Sequence, residues 1–169
     1  MTAPTPTGPR DTFTQAAAMF PSGVAVVTSG HKGAVHGITV SAFSSVSLEP
    51  PQVLVCVSRW SKLNEIVLAA EAFAVNILAA DQVALSKYFS EAGRDPVASF
   101  IELDIPHRVH STGMPILQGT VAFFDCSVVM ACESGDHSIF IGDVLAAGAD
   151  PGKEPLLFHN RHYRDMTDR

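Results

Sequence analysis

From Gly37 to Pro51 the chain reads GITVSAFSSVSLEPP, with hydroxyls at Thr39, Ser41, Ser44, Ser45 and Ser47 interleaved with Ile38, Val40, Phe43 and Val46. Two readings fit this alternation. One is an edge strand and loop with a solvent-washed face. The other is a flat surface for a planar ring such as an isoalloxazine. Backbone N–H and C=O groups at a strand-to-loop junction bond the ring's polar edge, while valine and phenylalanine cover its face. A second segment, Ser58 to Leu63 (SRWSKL), stands between an apolar run and a helical pattern. Free N–H groups at a helix start attract phosphate, and Ser58, Ser61 and Lys62 add hydroxyl and ammonium donors. Plain capping of the helix by Ser61, with Lys62 in solvent, is the competing reading. An anion site close in sequence to a ring-sized apolar surface says more than either feature does singly.

The elements that must position these groups are mostly strands. A helix is expected over residues 11–20, where Asp11 or Thr12 can cap and Phe13, Ala16, Ala17 and Phe20 share a face before Pro21 stops it. Residues 23–29 (GVAVVTS) form a buried strand and residues 38–43 the next. Residues 44–51 are expected as a loop, because two prolines do not fit a ladder. QVLVCVS at 52–58 is another continuous apolar strand. A helix capped by Ser61 then runs to about residue 70, with Leu63, Ile66, Val67 and Ala70 on one face. A strand at 72–78, a helix capped by Asp81 and ending at Phe89, and a polar loop at 91–99 follow. Strands near 102–109, 119–132, 138–147 and 156–158 complete the pattern, with Gly135 and Asp136 as the turn between the second and third. Many strands with few short helices imply a mainly β fold, a barrel decorated by helices. There is no G-x-G-x-x-G fingerprint and no P-loop, so a dinucleotide site here is built another way.

The chain has 169 residues, 47% of them hydrophobic and 17% charged, with a net charge of −6. That size makes residues 11–169 one domain after a Pro/Thr-rich N-terminal tail at 1–10. The apolar surplus points to a cofactor cleft or a subunit interface, and an obligate homodimer is expected. Acidity argues against a nucleic-acid surface. Cys56, Cys126 and Cys132 are odd in number and lie in apolar runs, which suits reduced thiols in the cytoplasm. No signal-peptide pattern, membrane span or metal-ligand spacing is expected.

Phe20-Pro-Ser-Gly-Val-Ala-Val-Val-Thr, the Gly37–Pro51 block, Val75-Asn-Ile-Leu, Phe89, Gly135-Asp-His and Pro155-Leu-Leu-Phe together resemble the flavin reductase family, in the right order over about residues 12–166. Its members are reductase components of two-component flavin monooxygenases. The T-x-S-x-F-x-S-x-S-x-x-P-P block is the most specific part of the match. The resemblance implies an FMN-binding split β-barrel homodimer. It also implies hydride transfer from NADH or NADPH to FMN or FAD, and release of reduced flavin to a separate monooxygenase. It places Thr39, Val40 and Ser41 at the border of the isoalloxazine and Ser45, Val46 and Ser47 against the ring and ribityl chain. Ser58, Ser61 and Lys62 fall at the phosphate. Phe89 would help enclose the flavin, Trp60 would cover it, and Tyr163 matches a C-terminal tyrosine of the family. His137, in Gly135-Asp136-His137, falls where the family's histidine faces the nicotinamide and orients its carboxamide. A turn histidine bonded to a neighbour is the alternative for His137. Two other functions remain open: a split-barrel flavoprotein that keeps FMN and acts on an organic substrate, and a non-enzymatic flavin- or haem-binding protein. The residues do not choose between FMN and FAD or between NADH and NADPH.

Overall fold

Alternation decides what is inside this protein. In the computed structural model, which describes residues 8–91, 105–164 and 166, Val53, Val55 and Val57 are at most 3% exposed, whereas the residues between them face outward. They belong to strand β5 (Pro51–Ser58). Preceding it are helix α1 (Pro9–Ala18) and strands β1 (Ser22–Gly23), β2 (Ala25–His31), β3 (Ala34–Val40) and β4 (Phe43–Leu48). After it come α2 (Lys62–Ala70), β6 (Ala72–Ile77), a 3-10 turn (Ala80–Gln82) and α3 (Val83–Ser90). The remainder is β7 (His107–Val109), β8 (Pro115–Leu117), the long pair β9 (Ala122–Ser134) and β10 (His137–Ala149), β11 (Leu157–His159) and β12 (His162–Arg164).

Seven strands form one antiparallel sheet in the order β3-β2-β6-β9-β10-β5-β4. It curls into a split barrel: Phe43 of edge strand β4 packs its ring 5.3 Å from that of Phe124 on β9. The interior holds Val27, Val55, Val57, Phe73, Cys126 and Phe140, all fully buried, and α2 contributes Leu63 and Val67 to the same core. A second core lies outside the barrel wall, where α3 and the C-terminal strands cover Val24 and Val26 of the β2 segment. Burial first, then the charges of Asp125 and Asp143, pushes the Cys126 thiol up to about 12. The Asp125 carboxylate accepts bonds from the Thr112 N–H, at 2.9 Å, and from the Thr112 hydroxyl, pinning the chain before β8.

The barrel expected from strand density is present as a split barrel, and several boundaries differ. The strand expected over 38–43 ends at Val40, and residues 44–48 of the expected loop belong to strand β4: the two prolines occupy only the turn at 49–50 and the first residue of β5, where the ladder needs no central donor. The first helix starts at Pro9, at a position where its missing N–H costs nothing. Asp81 lies in the 3-10 turn, and α3 begins two residues later. Of the strand expected near 102–109, residues His107–Val109 are observed and 102–104 lie outside the described residues, as does 92–99 of the expected loop. The short strands β8 and β12 have no periodicity long enough to read. No helix among the described residues is long and apolar enough to cross a membrane.

Candidate functional site

The hydroxyl-rich segment is the point at which the chain leaves one barrel edge and enters the other. β3 ends at Val40 and β4 begins at Phe43. Between them the Cys56 N–H donates to the Ala42 carbonyl at 3.1 Å, so Ser41 and Ala42 run alongside the last residues of β5. Val40 is buried in the barrel, while Ser41 is exposed at the junction. A cleft of about 440 Å³ opens beside it, bordered by Phe20, Pro21, Gly23, Ser41, Phe43 and Phe124. Its walls are mainly apolar, as the face of a planar ring requires.

On one side of this junction lies α3. The Thr39 hydroxyl donates to the Ser86 carbonyl at 2.7 Å, and the Ser86 and Tyr163 hydroxyls share a hydrogen bond of 2.9 Å. Phe89 is 1% exposed, and its ring lies so close to Gly37 that a Cβ added there would sit 2.8 Å from Phe89 Cε1. Phe89 therefore clamps α3 onto β3 two residues before Thr39. Ser45, Val46 and Ser47 continue along β4. The register passes from Ser45↔Val53 to Ser47↔Gln52, which makes Val46 the extra residue of a bulge, 45% exposed. The Ser47 hydroxyl accepts the Glu49 N–H at 3.2 Å.

On the other side lies the start of α2. Ser61 caps it: its hydroxyl accepts the Asn64 N–H at 3.2 Å and donates to the Ser58 carbonyl at 2.7 Å. The helix geometry leaves the Lys62 and Leu63 N–H groups without intrahelical acceptors. Asn64, 8% exposed in the same turn, carries a buried side-chain oxygen with no hydrogen-bond partner. Lys62 Nζ is 3.1 Å from the Glu65 carboxylate, on an exposed face. Trp60 is 82% exposed beside this turn, with the Arg59 guanidinium 5.9 Å from its ring. The donor set, two free N–H groups with hydroxyls and an ammonium nearby, fits a phosphate.

His137 enters through sheet register. It pairs directly with Ser58, and both side chains point to the outer face, about 5 Å apart at Cβ. Its Nδ1 lies 2.7 Å from Asp136 Oδ1, so Nδ1 carries the proton and Nε2 is left without a partner among the described residues. The hydrogen bond from His137 holds the Asp136 carboxyl below the usual carboxylate range. The pattern is a fixed tautomer with one ring nitrogen aimed outward.

Thr39, Phe89 and Tyr163 are thus gathered around Ser86, and Ser58, Trp60, Ser61, Lys62 and His137 around the β5–α2 turn. Ser41 lies between the two groups. Three residues escaped sequence reasoning. Ser86 sits in an unremarkable stretch of α3, and Arg59 binds a hairpin 76 residues away, so neither leaves a local signal. Asp136 was legible as a neighbour of His137 and read only as a turn residue.

Residues 17–167 match the family model described as the flavin reductase like domain. The chain is 38% identical over 146 residues to an NADH-dependent FAD reductase of Streptomyces globisporus, which covers 86% of this chain and 79% of that protein. It is 35% identical over 150 residues to an NADH-dependent flavin reductase of a Rhodococcus species, covering 87% and 81%. Among solved structures, the flavin reductase component of a bacterial two-component tryptophan halogenase superposes with a TM-score of 0.85 at 34% identity, over 95% of this chain and 99% of that one. The Streptomyces globisporus NADH:FAD oxidoreductase in complex with NAD and FAD fragments gives a TM-score of 0.84 at 33% identity, over 92% of each chain. Fold, motif order and matches spanning nearly the whole described chain agree, and the chain belongs to the flavin reductase family.

Proposed function

We propose that this protein is an NADH-dependent flavin reductase that transfers hydride to FMN or FAD and passes the reduced flavin to a separate monooxygenase. The observation that carries the reading is the Cys56–Ala42 hydrogen bond, which sets the ring-sized junction at Ser41 beside the anion-binding start of α2. Relatives named as NADH-dependent reductases, and others named as reductase components of monooxygenases, support the nicotinamide and the partner.

Flavin, when bound, supplies the hydride acceptor. The chain's own residues do the rest. Ser58, Ser61, Lys62 and the free N–H groups of α2 hold the phosphate. Thr39, Val40 and Ser41 border the ring, with Ser45, Val46 and Ser47 along the ribityl chain. Phe89 and Tyr163 brace α3 behind Thr39, and Trp60 screens the phosphate end from water. His137 Nε2 accepts a hydrogen bond from the nicotinamide carboxamide and so orients the dinucleotide. Close stacking with little proton chemistry suits a hydride step, whose main requirement is orientation in a dry site.

The second copy expected from the apolar composition has a surface to use. Met130 is 55% exposed on β9 and pairs with Ile141 of β10, and Ile139 lies two residues along on the same outer face. Light scattering at micromolar concentration is expected to give twice the chain mass, and a monomeric mass removes the homodimer. Cys56, Cys126 and Cys132 are all free thiols, which supports a place in the reducing cytoplasm.

The deciding assay follows loss of NADH absorbance with FMN, FAD and riboflavin in turn. Saturation with flavin as a substrate is expected, and riboflavin, lacking the phosphate, should show a KM about tenfold above that of FMN, the scale of one or two charge-assisted hydrogen bonds. Turnover that ignores added flavin would favour a flavoprotein that keeps its FMN. No NADH oxidation would leave only a binding protein.

A further inference from the structure

At the end of the β9–β10 hairpin every residue from Val129 to His137 is exposed; β5 pairs β10 as far as His137, while β6 leaves β9 at Ser127. The hairpin turn carries the Asp136–His137 pair, and Gly135 there takes a left-handed φ of +57°. The β5 ladder thus holds β10 up to His137, but the turn at 135–136 and the end of β9 have no strand from outside the hairpin beside them among the described residues. Among the described residues, the hydrogen bonds that reach 133–136 from outside the hairpin all come from Arg59. Its backbone N–H donates to the Asp136 carbonyl at 3.0 Å. Its Nη1 donates to the Gly135 carbonyl at 3.3 Å, and its Nη2 stands 2.7 Å from the Glu133 carboxylate.

An isolated surface ion pair contributes little. Here one guanidinium, 34% exposed, spans the Gly135 carbonyl in the turn and the Glu133 carboxylate on β9, a geometry that its planar fork suits and an ammonium does not reproduce. The residue that does this sits between Ser58 and Ser61, the two hydroxyls of the phosphate segment. Beside the Ser58–His137 ladder pairing, the turn that carries the nicotinamide-side histidine is therefore bonded to the cofactor-side segment by Arg59, through its backbone N–H and its guanidinium.

We propose that Arg59 is a positioning residue for hydride transfer: it holds the hairpin turn against the β5–α2 segment and so fixes where His137 presents Nε2. The assignment rests on the flavin reductase reading and deepens it, because it makes the NADH subsite depend on a residue that touches neither the nicotinamide nor the reacting atoms.

The test is a double-mutant cycle in the full-length protein, with NADH as donor and FMN as acceptor. The unsubstituted protein checks the underlying reading first. If it oxidises no NADH in the presence of flavin, both that reading and this one fall; a result confined to the variants bears on Arg59 alone. Arg59→Met keeps the apolar stem over Trp60 and removes the guanidinium. It is expected to raise the KM for NADH about fivefold, with the Kd for FMN, from flavin fluorescence, within about twofold. Arg59→Lys keeps the charge opposite Glu133 but not the planar fork, and should recover only a minor part of the loss. In the Arg59→Met/His137→Ala double variant the KM for NADH should be no higher than in His137→Ala, because Arg59 acts through the histidine. Additive losses, an unchanged KM in Arg59→Met, or a Kd for FMN that rises as far as the KM for NADH would each overturn the assignment, the last by making Arg59 a phosphate ligand. Should Arg59→Met fail to fold, Glu133→Gln takes its place in the same cycle and decides by the same criteria.

Discussion

Replacing His137 by alanine is expected to raise the KM for NADH about tenfold while the Kd for FMN changes by less than about twofold. The magnitude is that of one hydrogen bond worth roughly 1–1.5 kcal/mol in a partly exposed site. Its direction follows from the geometry. Nδ1 is committed to Asp136 at 2.7 Å, which leaves Nε2 as the group that can meet a carboxamide. Nothing in the phosphate segment depends on the His137 ring, since the Ser58–His137 relation is a backbone pairing that alanine preserves. Asp136→Asn should move the KM for NADH in the same direction by a smaller factor, because an amide can bond either ring tautomer and no longer fixes the proton on Nδ1. Steady-state kinetics paired with flavin titration read both quantities. Weaker flavin binding with an unchanged KM for NADH would remove His137 from the nicotinamide side.

The second large effect is on stability. Gly142→Val in β10 is expected to cost about 3 kcal/mol, read as a lower urea midpoint with an unchanged slope. A Cβ added at Gly142 would lie 2.8 Å from both Cys126 Cβ and Phe73 Cζ, and both neighbours are fully buried in the barrel core. Cys126 Cβ is bonded directly to its own backbone, and Phe73 Cζ, the tip of its ring, is packed in the core, so the strand itself would have to shift. The register of β10 against β9 already slips between Ile141 and Gly142, and the displaced strand would carry the β5 pairing with it. The same ladder holds Ser58 beside His137, so activity should fall with stability in this variant. A midpoint unchanged from the parent would mean the ring of Phe73 can swing away.

Much of this architecture follows from local patterns. The apolar runs of β2, β5 and β6 mark buried strands, because each has to satisfy a core on one face or both. Ser61 before an apolar helical face marks the start of α2, because a cap bonds within its own turn. Motif order was also legible, and with it the family, although the residues themselves do not single out NADH among nicotinamides. Acidic composition and scattered cysteines set the broad class for the same reason, being sums over residues and not arrangements.

The rest depended on which distant strands meet. Residues 44–48 read as part of a loop because prolines at 50 and 51 do not fit a ladder, yet an edge strand needs only the partner that β5 provides. Ser58 stands opposite His137 only through a register between strands far apart in sequence. Ser86 joins Thr39 to Tyr163, and Arg59 reaches the turn at Gly135, through side chains whose partners no periodicity announces. By itself the sequence determined the burial pattern, the helix start and the kinship, because each is written in residues close along the chain. Only the tertiary structure decided which of those residues face one another. Strand register and side-chain reach are set when the barrel curls, by packing that acts across the whole sheet.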